Sequence, residues 1–239
     1  MIRRPPRSTH CISSAASDVY KRQMYFRLTQ VDVQEGKMDE TIAYASGVMD
    51  SFVDTPGLYQ ICIAEMSNGQ MTSWTTWASE DAMNAAGPQI QEALGGLADY
   101  IAGPPTISHG PMNAGQIYQN LMKGERDGEP FVARLGFGAE YQDGKIEEAT
   151  DWVQNTVYAG YEGTPGLMGA LAADVGGSVV TMSTWENQES LDASQEKFQE
   201  IMEDAMKYVK NPPTVVTGVC NLWRNNVSFP AGKLSQWNK

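Results

Sequence analysis

Thr55-Pro56-Gly57-Leu58 returns further along the chain as Thr164-Pro165-Gly166-Leu167, and that return decides how the fold is read. Other pairs accompany it. Gly36-Lys37 comes back as Gly144-Lys145, Thr76-Trp77 as Thr184-Trp185, and Pro104-Pro105-Thr106 as Pro212-Pro213-Thr214, each 108 positions on; the Thr-Pro-Gly-Leu copies stand 109 apart. One residue is therefore gained before that motif in the second copy and lost after it. Ordered matches among Trp, Pro and Gly at one spacing mark an internal repeat. The expected units are residues 24–110 and 130–224, joined by a linker at 111–129 and followed by a tail at 225–239.

Working outward from the motif, Pro56 and Pro165 stop a helix and the following Gly supplies a turn. Upstream, Met38, Ile42, Ala45, Met49 and Phe52 recur three or four apart, as do Ile146, Ala149, Val153 and Val157. That spacing predicts a helix. A strand precedes it, Met24 to Val33 or Phe131 to Tyr141, rich in aromatic and branched residues. Downstream, Leu58 to Glu65 and Met71 to Trp77 flank Asn68-Gly69, while Leu167 to Ala173 and Val179 to Trp185 flank Gly176-Gly177. Both dipeptides tolerate positive φ and favour hairpins. Ser79 and Asn187 then cap a second helix that begins with acidic residues. Its apolar stripe of Leu191, Ser194, Phe198, Ile201, Ala205 and Tyr208 repeats as Met83, Ala86, Ile90, Ala93, Leu97 and Tyr100. Gly87-Pro88 is expected to kink or restart the first copy. A last strand follows each Pro-Pro pair, over 106–112 and 214–222.

The order β-α-β-β-α-β, twice, gives an α+β fold of two ferredoxin-like units. Each four-stranded sheet carries helices on one face and must bury the other, and the second copy offers a matching surface. The strand-helix start, the Thr-Pro-Gly-Leu before strand two, the hairpin ending in Trp and the capped helix after it resemble the antibiotic biosynthesis monooxygenase-like family of the dimeric α+β barrel superfamily. In that family two such units join as separate chains, sheet against sheet. The resemblance implies that here they form an intrachain pseudo-dimeric α+β barrel.

It also implies a small-molecule pocket between each sheet and its own helices, floored by the strand that ends in Trp. Alternation puts Ser73, Thr75 and Trp77 on one face of that strand, and Thr181, Ser183 and Trp185 on the same face in the second copy. Two readings stand side by side: a floor for a planar aromatic ligand, or a Trp packed under the helix with the hydroxyls satisfying local groups. Tyr44 and Trp152 occupy equivalent helix positions and are expected to wall the cavity or to serve as core aromatics. Haem-degrading relatives add an iron-ligating His and a first-strand Asn. Those positions fall here near Gly87, Gln195, Thr29 and Gln30, so no haem and no other cofactor is expected. His109 is the only imidazole after residue 24 and hence the expected catalytic base; its counterpart is Thr217. A phenolic substrate activating oxygen without a cofactor, or a non-catalytic or stress-associated ligand-binding barrel, are the two functional expectations.

Residues 1–23 read as translated sequencing-library adapters, with MIRRPPRST and SSAASDVYKRQ matching two adapters in order and frame. They are set aside from fold reasoning, and the native start upstream of Met24 is expected to be missing. The whole chain has 17 basic and 29 acidic residues, a net charge of −12. Because the first 23 residues hold five of the basic ones, the rest is more acidic still. No nucleic-acid or membrane partner is expected from such a balance. Cys62 and Cys220 fall in apolar strands and read as small buried hydrophobes. One imidazole and no paired cysteines leave no expected metal site. With few cysteines and no long apolar run, the expected location is the cytoplasm; secretion stands as the alternative, because a leader upstream of Met24 would have been lost with the native start.

Overall fold

The computed structural model describes residues 23–117, 129–226 and 232–234. The expected adapter segment up to residue 22 and most of the expected linker, 118–128, lie outside the described residues. The first unit runs β1 (Tyr25–Asp32), α1 (Met38–Ser51), β2 (Leu58–Met66), β3 (Gln70–Trp77), α2 (Glu80–Ala85), α3 (Gly87–Gly95) and β4 (Thr106–Ile117). The second runs β5 (Phe131–Glu140), α4 (Ile146–Trp152), a π-helical turn (Val153–Val157), α5 (Tyr158–Tyr161), β6 (Leu167–Asp174), β7 (Ser178–Trp185), α6 (Gln188–Ala193), α7 (Gln195–Ala205) and β8 (Thr214–Asn225). A two-residue β9 (Gly232–Lys233) follows.

Each unit orders its strands identically, β4-β1-β3-β2 and β8-β5-β7-β6. Antiparallel pairing of β2 with β8 and of β6 with β4 joins the units into a closed eight-stranded barrel. The two long strands do the joining. β4 pairs with β1 up to Pro111 and then with β6 from Met112 to Ile117, while β8 passes from β5 to β2. The strand expected to end at Met112 therefore runs on to Ile117, so residues 113–117, expected only as linker, are strand. Their hydrogen-bonding partner lies far away in sequence, and the local Pro and Gly content conceals it. Part of the expected tail also joins the fold: β9 pairs with Gln116 and Ile117, and Leu234 is buried in the barrel.

Alternation along the strands separates three cores. Phe26, Leu28, Trp74, Phe131, Leu135, Met168 and Trp223 point into the barrel, where Phe131 meets Trp74 and Trp223 edge-on at 6.2 and 5.7 Å. Cys62 and Cys220 are also fully buried there, and Cys220 Sγ donates to the Leu222 carbonyl at 3.4 Å; burial, reinforced by the neighbouring Cys220, pushes the Cys62 thiol well up, so it behaves as an inert packing group. The opposite face of each sheet packs on its own helices, around Trp77 in one unit and Trp185 in the other.

The repeated Gly of Thr-Pro-Gly-Leu has a definite cause. Gly57 and Gly166 adopt φ of +76° and +74°, and a Cβ on them would meet Ala82 Cβ at 2.6 Å and Ser190 Cβ at 2.5 Å. Only glycine lets the turn pass beneath the second helix.

Two local departures shape the second unit. The helix break expected only at Gly87-Pro88 occurs in both copies. In the second it falls at Ser194, whose hydroxyl donates to the Leu191 carbonyl at 2.6 Å and draws that turn out of regular geometry. The residue gained before Thr164 appears as the π-helical turn: α1 is continuous, whereas its counterpart absorbs the extra residue over Val153–Val157.

Candidate ligand site in the second sheet-helix cleft

A cavity lies between sheet and helices in each unit, about 130 Å3 in the second and about 80 Å3 in the first. Two residue-level differences accompany the larger volume. The π-helical turn supplies part of the wall through Val153 and Val157, and Gly136 stands where the first unit has Thr29. A Cβ at Gly136 would lie 2.8 Å from Thr181 Oγ1, so the position is closed to larger residues without movement.

Aromatic rings dominate the second cavity. Trp152, which stacks on Tyr208 at 5.0 Å, lines it with Tyr141, Tyr158, Tyr161 and Phe198. Burial, aided by the charge of Asp174 and opposed by a hydrogen bond with Asn113, pushes the Tyr141 phenol up to about 12. Burial also raises Tyr161, while the nearby Arg134 charge pulls it back. These phenols stay neutral near neutral pH. Among the described residues lining the cavity there is neither a carboxylate nor an imidazole.

The expected site residues divide between the two clefts. Thr181, Ser183 and Trp152 line the second cavity; Ser73, Thr75, Trp77 and Tyr44 line the first. Trp77 and Trp185 are equivalent and fully buried, but Trp185 lies behind the second cavity wall, edge-on to Tyr161 at 6.0 Å. Each indole N–H donates to the hydroxyl two residues back, Trp77 to Thr75 at 2.8 Å and Trp185 to Ser183 at 3.0 Å. The Thr75 and Ser183 hydroxyls thus accept from the indoles while also lining the cavities. Tyr44 stacks on Tyr100 at 5.5 Å and donates to the Ala93 carbonyl at 2.9 Å.

His109 departs from expectation. It is exposed, lines neither cavity, and pairs across the strands with Arg27. Its Nδ1 is 3.2 Å from the Tyr25 hydroxyl, which in turn donates to Glu80 Oε1 at 3.2 Å. The physical reason is its place near the start of β4, where the helix layer leaves that face of the strand open; Thr106 and Ile107 beside it are exposed too.

Sequence reasoning passed over Arg134, the one charged residue among the described residues lining the second cavity and only 4% exposed. It donates from Nη1 to Ser194 Oγ at 3.2 Å, and from Nη2 to Leu191 O at 3.3 Å and Gln195 Oε1 at 3.0 Å. Its guanidinium lies 4.1 Å from the Phe198 ring centre. Arg27 is its counterpart in the first cavity, donating to Thr29 Oγ1 at 2.6 Å. The available signal was the Arg-Leu pair inside both first strands. No group of three or more His, Cys, Asp or Glu among the described residues is placed to hold a metal, and no helix there is long and apolar enough to cross a membrane.

No family model matches the sequence, and no curated protein matches it. Solved structures do. A protein provisionally named a monooxygenase, from Lactobacillus acidophilus, superposes with a TM-score of 0.69 at 15% identity, over 87% of this chain and 98% of that one. A second provisional monooxygenase, from Fusobacterium nucleatum, gives 0.68 at 10% identity, over 87% and 96%. An anthrone oxidase-like protein gives 0.63 at 12%, over 89% and 97%. At such identities the likeness is one of fold, and because it spans nearly the whole of each neighbour, the two-unit barrel within one chain is an architecture this protein shares with them.

Proposed function

We propose that the protein binds a single-ring aromatic molecule in its second sheet-helix cleft and oxidises it with molecular oxygen. The cavity carries this reading: about 130 Å3, walled by Trp152, Tyr158, Tyr161, Phe198 and Tyr208. An apolar cavity of roughly 150 Å3 admits benzene, so one ring is the matching size. The monooxygenase and anthrone oxidase-like names of the fold neighbours support oxygenase chemistry. So does the repeat, read as a duplication of one antibiotic biosynthesis monooxygenase-like unit.

In the cofactor-independent form of this chemistry, the substrate's own electrons reduce oxygen. A phenol and O2 give a quinone and water; one oxygen atom enters the ring and the other leaves as water, with all four electrons drawn from the substrate. The protein's share is to bind, orient and desolvate the ring. A second reading has a specific observation in its favour. With no carboxylate or imidazole among the described lining residues, the cavity has no ready side-chain base, which suits a barrel that binds its ligand without turning it over.

Titration with simple phenols and quinols, read by tryptophan fluorescence and an oxygen electrode, separates these readings. Quenching that is largely lost in Trp152→Phe, together with oxygen uptake, is the expected result. Quenching without uptake selects the binding protein. Neither signal would remove both.

A further inference from the structure

Arg134 presents a problem that a ligand would solve. A guanidinium keeps its charge even when burial lowers its proton affinity, as it does here. Yet every hydrogen-bond acceptor it has is neutral: a hydroxyl, a carbonyl and an amide. No carboxylate stands within ion-pair distance of it among the described residues, and Asp192 reaches it only through its field. Burying a cation without a counter-ion is costly. Of the five guanidinium N–H groups three are donated to protein acceptors, leaving two. The residue sits at the wall of a cavity sized for one ring.

We propose that Arg134 receives the oxyanion of a phenol bound in the second cavity and holds that ligand as its phenolate. This rests on the reading that an aromatic ring occupies the cleft. In the step, the phenol O–H bond breaks, its electron pair stays on oxygen, and the proton passes to solvent water at the cavity mouth. Stabilising the anion in this way removes the need for a side-chain base, of which there is none among the described lining residues. The anchors of Arg134 are particular to the second unit. Ser194 and Gln195 correspond to Ala86 and Gly87, and Arg27 is tied to the Thr29 hydroxyl where the second unit has Gly136, which offers none. The first cavity therefore repeats the cation but not its setting.

The test uses 4-nitrophenol, whose phenolate has its own absorption band, with neutral nitrobenzene as the control ligand. On the intact protein, the ionisation midpoint of bound 4-nitrophenol is expected to fall by about one to three pH units from its value in water, the range for an opposite charge at contact. Arg134→Met should still bind nitrobenzene but raise that midpoint above the free value, because the apolar cavity then opposes the anion. Arg134→Lys should recover part of the fall. A wild-type midpoint at or above the free value, with 4-nitrophenol demonstrably bound, overturns the role of Arg134 and leaves the aromatic-ligand reading standing. Failure of both compounds to bind overturns that reading and this inference with it. Should Arg134→Met not fold, the wild-type midpoint, which needs no variant, decides.

Discussion

His109 and Arg134 show how differently a side chain reads in sequence and in place. His109 draws attention because imidazole titrates near neutral pH and this one is alone after residue 24. Its position on open strand, tied to Tyr25, takes it out of both cavities. Arg134 passes unnoticed because a charged residue in an alternating strand reads as facing water, whereas helices cover that face of β5. The strand pattern reveals which face a residue is on but not what lies over it. The faces of Ser73, Thr75 and Trp77 were legible for that reason, and the bonds from indole to hydroxyl were not. His109→Ala should consequently keep both phenol quenching and oxygen uptake within about twofold of wild type, as an exposed substitution away from the site does. An uptake loss beyond about tenfold, with quenching intact, would move the chemistry to the first unit.

Among the elements, the helix after each first strand is where the copies diverge to effect. The extra residue was visible as the change of offset from 108 to 109, but sequence alone does not say whether a helix lengthens, a loop grows or a bulge forms. Here it becomes a π-helical turn at the cavity wall, between Trp152 and Tyr158. A bulge of this kind keeps the flanking turns in phase while pushing the wall outward. It also places Gln154 so that its Oε1 accepts from the Gly115 N–H at 3.1 Å, leaving its buried Nε2 without a partner among the described residues. Deleting the exposed Asn155 restores the spacing of the first copy and should let the segment run as regular α-helix. The cavity should contract towards the volume of about 80 Å3 found in the first unit. Nitrobenzene affinity should then fall by about tenfold, the factor that 1.4 kcal/mol represents, while the melting temperature holds or rises. Unchanged affinity in a folded deletion variant would show that the bulge does not set the cavity.

At the scale of the molecule, the repeat and the need to cover two sheet faces were legible, and closure through long strands was not. Closure removes the open edges that β2 and β6 would otherwise present. It depends on β4 and β8 crossing from one unit's sheet to the other's, and both cross at a glycine. A Cβ on Gly110 would come within 1.6 Å of the Asp174 carbonyl oxygen, and one on Gly218 within 2.3 Å of the Glu65 carbonyl oxygen. These positions are 108 apart, so the same steric demand is made once at each seam. The opposing atoms are backbone and cannot rotate away; an added methyl must push strand from strand. Gly110→Ala and Gly218→Ala should each lower stability by about 1–3 kcal/mol in urea unfolding, the usual range for overpacking. Gly47→Ala makes the matched comparison. It lies within α1 with nothing within 4 Å of the new methyl, and should raise stability by about 0.8–1 kcal/mol through helix propensity alone. If the seam variants unfold at the wild-type midpoint while Gly47→Ala moves as stated, the two units are not closed against each other at these strands.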